Sequence, residues 1–234
     1  MILKVISFLC ITLATLTLFQ SVNSLYFGDN VNLAENEKDF FIHPPQMITT
    51  EGGNVYVLWA DKKNNIYFSL AQKNETKFSY PVILGDNATI LTRVPQVAAT
   101  EGGNVYVLWA DKKNGSKGQQ TELEFRWSKD AGETFKRKKL DTSPDVMLSS
   151  PQVAATEGGN VYVLWAEPYI HFREIIDDDK TYFGEKILLN RNINSSDAQL
   201  TATEGGNVYV LWMDRKYDLR DAIMFKKISK FLFD

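Results

Sequence analysis

The stretch Glu-Gly-Gly-Asn-Val-Tyr-Val-Leu-Trp at residues 101–109 occurs four times in this 234-residue chain. The other copies span residues 51–59, 157–165 and 204–212, and a glutamine stands thirteen residues before each tryptophan. Self-similarity at a fixed period of roughly 20–50 residues is typical of stacked supersecondary units, which bury their apolar faces against one another. The sequence therefore predicts four such units.

Each unit has the pattern of a short antiparallel sheet. In the second copy, Pro95–Thr100 and Val105–Ala110 are predicted strands, and Glu101–Asn104 is a tight turn because Gly and Asn accept positive φ. The strand Val105–Ala110 is apolar on both faces, which favours cover on both sides. Two more strands are predicted at Leu123–Ser128 and Phe135–Leu140. Four strands in a repeat of this length are typical of a β-propeller blade.

The predicted fold is therefore all-β, a propeller of four four-stranded antiparallel blades in one closed ring. Leu25–Leu33 has the pattern of a strand without a hairpin partner, and the last copy ends short of a fourth strand. The N-terminal strand is expected to complete blade four, because closure removes exposed sheet edges. Phe231–Phe233 competes for that place, and an open arc or a dimerising half-ring is the rival architecture. The predicted blades span about 45–85, 95–140, 151–189, and 198–228 with 25–33.

Residues 1–24 have the pattern of a secretory signal peptide, with one charge at Lys4, an apolar run from Val5 to Phe19, and small polar residues up to Ser24. An uncleaved membrane anchor is the alternative, although the run is short for a membrane span. The sequence thus predicts a propeller domain over residues 25–234, secreted or at the cell surface, with no membrane span after cleavage. The only cysteine, Cys10, lies in the removed segment.

The amino-acid composition argues against two classes of function, nucleic-acid binding and metal binding by histidine and cysteine. Loss of Lys4 changes the net charge from −3 to −4, with 25 basic against 29 acidic residues, which argues against nucleic-acid binding. Without cysteine, the two histidines, His43 and His171, cannot form a His/Cys metal site. His171 lies on a predicted third strand and is expected to be structural. We expect no metal and no cofactor.

The candidate binding face carries polar residues that recur once per repeat. In a propeller, the starts of the first strands and the ends of the second strands share one face. An acid follows each Trp and a Gln begins each first strand there, so a polar ring able to hold a polar ligand is one interpretation. The alternative is that these residues satisfy backbone donors at strand ends. The candidates are Asp61, Asp111, Glu167, Asp214, Gln46, Gln96, Gln152, Gln199 and Arg215; Arg93, Arg191 and Arg220 are further cations that this face can carry.

The second copy also contains Ser128, Asp130, Gly132, Thr134 and Phe135 in the order Ser-x-Asp-x-Gly-x-Thr-Phe. This pattern resembles the Asp-box, or BNR repeat, of sialidase-like propellers, in which the Asp caps a hairpin turn and the aromatic enters the core. A partial copy places Asp177, Thr181 and Tyr182 at the matching positions of the third repeat. The run 177–179 is accordingly expected to be a degenerate Asp-box and not a calcium loop.

Together the repeats resemble secreted sialidase-family propellers of prokaryotes over residues 25–234. That resemblance implies structural Asp-boxes. For active members it implies six blades, an arginine triad, a Tyr–Glu pair and an acid Asp. This chain has four repeats and lacks the family's Arg-Ile-Pro signature. The sequence therefore favours a non-catalytic propeller that binds a ligand or partner, such as a glycan or a cell-surface protein, through its loop-variable face; a sialidase-type hydrolase and a structural surface protein are the alternatives.

Four sequons for N-glycosylation are predicted in loops, because such acceptors occupy surface loops in secreted proteins. They begin at Asn74, Asn87, Asn114 and Asn194.

Overall fold

A computed structural model of the chain describes residues 29–33, 44–85, 90–91, 94–115, 118–144, 148–177, 180–193, 195–214 and 221–229. The chain forms two compact units, 1–32 and 33–234, and all the strands belong to the second. In the described ranges the regular structure is β alone, so the all-β prediction is confirmed. No helix there is long and apolar enough to cross a bilayer. The signal segment lies outside the described residues.

The strands form four antiparallel sheets, one for each repeat, here called blades one to four. Blade one comprises β1 (Gln46–Thr49), β2 (Val55–Ala60), β3 (Ile66–Ala71) and β4 (Val82–Gly85) in that spatial order. Blade two comprises β5 (Ile90–Leu91), β6 (Gln96–Ala99), β7 (Val105–Gly115), β8 (Gly118–Ser128) and β9 (Lys136–Ser143), with β5 and β6 both paired to β7.

Blade three comprises β10 (Ser149–Ala155), β11 (Asn160–Glu167), β12 (Tyr169–Ile176), β13 (Tyr182–Phe183) and β14 (Ile187–Leu188), with β13 and β14 both paired to β12. Blade four comprises β15 (Ser195–Ala202), β16 (Val208–Asp214) and β17 (Ala222–Ile228).

The hairpin of β7 and β8 is longer than its sequence pattern indicates. The predicted third strand at Leu123 begins at Gly118 instead, and Asn114 lies within β7. The prediction that every sequon lies in a loop is therefore wrong for Asn114. Cross-strand ion pairs support the extension, since Lys113 lies 3.2 Å from both Glu122 and Glu124.

The repeated Glu-Gly-Gly-Asn turn joins the first two strands of each blade. In blade two, Thr100 N donates to Asn104 O at 3.0 Å, and Gly103 N donates to Thr100 O at 3.1 Å. Gly103 has φ 81°, a left-handed value that glycine adopts without steric cost. The same turn therefore needs the second glycine in every copy.

The turn glutamates link neighbouring blades, a role that their repetition does not reveal. Gly52 N donates to Glu101 Oε1 at 2.5 Å, and Glu101 N donates to Glu157 Oε1 at 2.7 Å. Glu157 N in turn donates to Glu204 Oε2 at 2.9 Å. The carboxylates of Glu101, Glu157 and Glu204 thus each accept a hydrogen bond from the preceding blade.

Apolar side chains fill the spaces between blades. The four repeat tryptophans are at most 5% exposed. Trp109 packs against blade one, Trp165 against blade two and Trp212 against blade three. Trp59 stacks on Tyr67 of its own blade, with ring centroids 5.6 Å apart.

The predicted closure of the ring is not observed in the described residues. Blade four has three strands there, and residues 29–33 form none. The outer face of blade four is open to solvent, with Leu211 39%, Ile223 77% and Phe225 64% exposed. A blade packed on that face would cover these side chains, as blade four covers the matching face of blade three. Leu25–Gly28 and Phe231–Phe233 lie outside the described residues.

Candidate functional site

The first strands of the four blades begin around a common cavity of about 410 Å³. All four repeat glutamines line it, so the structure brings together the glutamines that the repeat pattern predicted to share a face. Here this space is called the mouth cavity. Its lining residues are Gln46, Val94, Gln96, Ser150, Pro151, Gln152, Asp197, Ala198 and Gln199.

Strand register explains why the four glutamines meet. Each pairs with the leucine of the repeated Val-Tyr-Val-Leu-Trp stretch on the second strand of its blade. Because this register is the same in all four blades, each glutamine occupies the same position on its first strand. The four side chains therefore lie around the one cavity at which the first strands begin. The pairs are Gln46 with Leu58, Gln96 with Leu108, Gln152 with Leu164, and Gln199 with Leu211.

Local hydrogen bonds fix the amide groups of three glutamines. Gln152 Nε2 donates to Pro151 O at 2.9 Å, and Gln46 Nε2 donates to Pro45 O at 3.2 Å. Gln152 Nε2 also lies 3.3 Å from Gln96 Oε1, which links blades two and three at the cavity. Within the described part of the chain, no donor reaches the carboxamide oxygen of Gln46. The mouth cavity therefore presents oriented carboxamides with acceptor capacity left for a ligand.

Two strained residues complete the cavity wall. Ser150 and Asp197 have φ values of 50° and 52°, and each lies in a β-bulge where one extra residue interrupts the register of the first strand. Left-handed φ in a non-glycine residue costs about 1–3 kcal/mol and is concentrated at functional sites, as are bulges. Asp197 accepts a hydrogen bond from Ser196 Oγ at 2.8 Å. It is the only charged residue among the described residues that line the cavity.

The four repeat acids do not line the mouth cavity, and Asp61 shows their structural use most clearly. Its Oδ1 accepts from Lys63 N at 2.8 Å and from Asn65 N at 2.9 Å, and its Oδ2 accepts from Asn65 Nδ2 at 2.8 Å. The side chain is buried and closes the loop between β2 and β3. Asp61 thus satisfies backbone donors at a strand end, as the alternative interpretation held.

Asp111 is buried and belongs to a charged cluster within blade two, with Lys113, Glu122 and Glu124. Its Oδ2 is 3.5 Å from Lys113 Nζ, and its Oδ1 is buried without a hydrogen-bond donor among the described residues. Burial raises the pKa of Asp111 to about 6, with Lys113 opposing the shift. Burial acts in the same sense on Glu122, but Lys139, 2.7 Å away, and Lys113 outweigh it and lower the pKa of Glu122. Two facing carboxyl groups thus differ in proton affinity.

Replacing Asp111 by Asn is expected to change the pH dependence of stability. Because folding raises the pKa of Asp111 from 3.8 to about 6, the folded protein loses stability as pH rises through that interval. The Asp111→Asn variant lacks this loss, so its free energy of unfolding should gain about 2 kcal/mol relative to wild type between pH 4 and pH 7. Urea unfolding at several pH values measures the difference. A difference that stays constant over this range would contradict the assignment.

The remaining two repeat acids, Glu167 and Asp214, also contact neighbouring side chains. Glu167 shares a lysine with Asp141. Glu167 Oε2 and Asp141 Oδ2 lie 2.7 and 2.6 Å from Lys186 Nζ, and Trp165 Nε1 donates to Asp141 at 2.9 Å. His171 Nε2 lies 2.9 Å from the Glu167 carbonyl oxygen, and burial lowers the pKa of His171. His171 thus lies on the third strand of its blade, as predicted.

Asp214 repeats part of this arrangement in blade four. Its Oδ1 accepts hydrogen bonds from Trp212 Nε1 at 2.8 Å and from Ser195 Oγ. The indole, the hydroxyl and the half-buried carboxylate thus form one polar contact within blade four.

The Asp-box in blade two has the hydrogen bonds of a turn cap. Asp130 Oδ1 accepts from Ser128 Oγ at 2.6 Å and from Thr134 N at 2.9 Å, and these contacts lower the pKa of Asp130 to about 2. Phe135 packs on Phe68 of blade one, with ring centroids 5.3 Å apart. The motif joins two blades and lies away from the mouth cavity.

The degenerate Asp-box of blade three differs from its sequence alignment in one position. Tyr182, aligned with the core aromatic, is 60% exposed, and Phe183 instead packs on Trp127 at 5.7 Å. The prediction for Tyr182 is wrong because the strand β13 places alternate side chains on opposite faces. Asp177 Oδ1 accepts from Thr181 Oγ1 at 2.7 Å, and its other oxygen accepts from Tyr106 at 2.9 Å.

The remaining candidates named from the sequence either lie away from the mouth cavity or fall outside the described residues. Arg191 is exposed and is not among the cavity residues, and Asn74 is exposed with φ 64°. Of Asn114 only the backbone position in β7 is described. Outside the described residues lie Arg93, Arg215, Arg220, Asn87 and Asn194.

Sequence reasoning missed Ser150 and Asp197. A signal for them exists in the repeats themselves. The position two residues before each glutamine is Pro44, Val94, Ser150 or Asp197, so it varies beside an unvarying Gln. The residue two positions before the constant glutamine thus differs from blade to blade, and at Val94, Ser150 and Asp197 it lines the mouth cavity.

No protein-family model matches the chain, and no curated protein matches it in sequence. Solved structures do match. The K499G mutant of NanB sialidase from Streptococcus pneumoniae gives a TM-score of 0.50 at 10% identity, covering 79% of this chain and 30% of that one. An α-L-arabinanase from Penicillium chrysogenum, complexed with arabinobiose, gives a TM-score of 0.50 at 10% identity, covering 80% of this chain and 62% of that one.

This chain therefore spans less than a third of the sialidase and less than two thirds of the arabinanase. At these identities the likeness concerns the fold alone. The four antiparallel sheets have the arrangement of blades in the β-propeller folds of sialidases and arabinanases.

Proposed function

We propose that this protein is a secreted, non-catalytic β-propeller of the sialidase-like type that binds an uncharged glycan at the mouth cavity. The observation that carries the proposal is the convergence of four glutamine side chains on one cavity of about 410 Å³. Ligand sites are typically concave spaces of about 300–1,000 Å³ with a few oriented polar groups. The mouth cavity has both features.

The chemistry of the lining selects hydroxyl groups. A carboxamide donates through its nitrogen and accepts through its oxygen, so a ring of carboxamides matches sugar hydroxyls, which also do both. Pre-oriented groups such as Gln152, held by Pro151 O, lose little entropy on binding. The carboxylate of Asp197, which lies on the cavity wall, disfavours an acidic sugar because like charges repel. We therefore infer a preference for neutral over sialylated glycans.

The fold neighbours support a saccharide ligand. The two proteins named above are a sialidase and an arabinanase, and the second holds arabinobiose. We propose that this chain uses the same fold to bind a glycan, with the Asp-boxes and the Glu turn contacts serving the scaffold.

Replacing Gln152 by alanine is expected to weaken binding of neutral oligosaccharides by about fivefold, because a lost hydrogen bond to an oriented polar group costs about 1 kcal/mol. Gln72, which is exposed outside the mouth cavity, provides the matched control, and Gln72→Ala should bind as wild type does. Glycan arrays followed by calorimetry on neutral and sialylated ligands measure both. Equal affinities for wild type and Gln152→Ala would contradict the proposal.

A sialidase-type glycoside hydrolase is the second candidate, favoured by one observation. Asp111 and Glu122 face each other with pKa values displaced in opposite directions, the pattern of an acid and a base in glycosidases. Against it, Asp111 is only 2% exposed and does not line the mouth cavity. Turnover of a fluorogenic sialoside or glycoside that disappears in Asp111→Asn or Glu167→Gln would establish the hydrolase. A structural surface protein would instead bind no glycan and capture no partner.

A further inference from the structure

The first strands of blades three and four carry a distortion that the described first strands of blades one and two lack. In each, one extra residue interrupts the pairing of the first strand with the second, just before the repeat glutamine. Ser150 and Asp197 lie in these bulges with φ values of 50° and 52°. At the same repeat position Pro44 and Val94 have no left-handed φ. Blades three and four therefore build their part of the mouth cavity differently.

The bulges explain why blades three and four contribute more of the cavity wall. A regular strand turns successive side chains to opposite faces, whereas a bulge breaks the alternation and re-aims side chains. Accordingly, the consecutive residues 150–152 and 197–199 all line the cavity, while blade one contributes Gln46 and blade two contributes Val94 and Gln96. The described wall thus has two unequal sides.

The left-handed backbone at these positions is strained, and the strain coincides with the cavity. Glycine would adopt the same φ without steric cost, yet both positions carry a polar side chain. Strained residues that retain a side chain are concentrated at functional sites. The strand that leads into the second bulge is also anchored, because Ser195 Oγ donates to Asp214 Oδ1 and accepts from Asn190 Nδ2.

Both bulge residues have hydrogen-bonding capacity left for a ligand. Ser196 Oγ donates to Asp197 Oδ2 at 2.8 Å, and in the described part of the chain no donor reaches Asp197 Oδ1. Within the same residues, Ser150 Oγ makes no hydrogen bond. Since β10 and β15 are neighbouring first strands, a hydroxyl and a carboxylate oxygen lie on adjacent sides of one cavity. Both groups can accept from a sugar hydroxyl, and the serine can also donate to one.

We propose that Ser150 and Asp197 are the specificity-determining residues of the mouth cavity, and that they bind hydroxyl groups of the glycan on the side of blades three and four. This inference rests on the proposed function, which needs the glutamines alone. The glutamines recur in every blade and hold any sugar that fits, whereas the two bulge residues differ from their counterparts in blades one and two. The ligand is therefore a neutral glycan bound off-centre, with hydroxyl donors directed at Asp197.

The test compares variants of Asp197 on an array of neutral and sialylated oligosaccharides that includes lactose and 3′-sialyllactose, followed by calorimetry. Asp197→Gly should weaken binding of neutral oligosaccharides by about tenfold or more, the usual loss when a hydrogen bond to a charged group is removed. Asp197→Asn should reduce the ratio of neutral to sialylated affinity by about fivefold, because one like charge is gone. Ser150→Gly should weaken neutral binding by about fivefold.

Glu133→Gln is the matched control for the loss of charge, since Glu133 is exposed and lies outside the mouth cavity. It should leave both affinities as in wild type. An equal fall in the neutral-to-sialylated ratio for Glu133→Gln and Asp197→Asn would assign the preference to the net charge of the protein and overturn the role of Asp197.

Urea unfolding separates a binding role from a structural one. Asp197→Gly should keep or raise the urea midpoint, because glycine relieves the strained backbone while the affinity falls. A lower midpoint with unchanged affinity would make Asp197 a structural residue and overturn the inference. If Asp197→Gly lowers both, Asp197→Asn decides, because asparagine tolerates the left-handed backbone.

This inference and the proposed function fail in different ways. If Gln152→Ala weakens binding while the variants of Asp197 and Ser150 bind as wild type does, the two bulge residues do not determine specificity and the mouth cavity stands. If wild type binds no oligosaccharide of the array, both proposals are wrong.

Discussion

Replacing Trp165 by alanine is expected to lower the free energy of unfolding by about 3–5 kcal/mol, the usual cost of truncating a fully buried tryptophan. Trp165 is 0% exposed, packs in the core between blades two and three, and stacks on His171 at 5.7 Å. Its indole nitrogen also donates to Asp141 at 2.9 Å, so truncation leaves that half-buried carboxylate short of one donor. Reversible urea unfolding measures the change.

Tyr182→Ala provides the control for this measurement, because it removes an aromatic side chain of the same blade that is 60% exposed. Its cost should stay within about 0.5 kcal/mol, as is usual at the surface. A loss below about 1 kcal/mol for Trp165→Ala would contradict the packing of blade three on blade two.

Replacing Gly132 by alanine is expected to cost about 3 kcal/mol or more. Gly132 has φ 91°, and an added Cβ would lie 2.3 Å from Phe68 Cε1 and 2.7 Å from Phe68 Cζ. Phe68 is 1% exposed and packed against Phe135, so its ring has little room to move. The substitution therefore combines backbone strain with overpacking between blades one and two.

Gly206→Ala separates the two causes. Gly206 has φ 75° in the Glu-Gly-Gly-Asn turn of blade four, but an added Cβ meets nothing within 4 Å. It should therefore show backbone strain alone, at about 1 kcal/mol. In a double-mutant cycle, Phe68→Leu should relieve part of the Gly132→Ala cost. Equal losses for Gly132→Ala and Gly206→Ala would mean that the Asp-box does not press against Phe68.

The sheets were predictable from sequence because their signals are local and repeated. The turn at Glu101–Asn104 and the apolar strand that follows it depend on residue type alone, and four copies reinforce each assignment. The level of the four glutamines follows from the same repetition. Position within the repeat is therefore sufficient to predict the ring of carboxamides at the mouth cavity.

Other features depend on contacts between distant residues, which repetition does not encode. Asp141 and Glu167 share Lys186 through separations of 45 and 19 residues, and no motif indicates that meeting. Asp61 and Asp111 occupy the same repeat position, yet one caps a loop and the other enters a charged cluster, because their neighbours differ. Closure was not predictable for the same reason, since it requires one blade face to meet another across the ring.

The most direct test of the central claim is the NMR response of the glutamine side-chain amides to a neutral oligosaccharide. The account predicts that the amide signals of Gln46, Gln96, Gln152 and Gln199 shift together as ligand is added, with one dissociation constant that equals the calorimetric value. The exposed Gln72, outside the mouth cavity, should not respond. Saturable binding that leaves all four mouth-cavity signals unmoved would contradict the claim that the glutamine-lined cavity is the binding site.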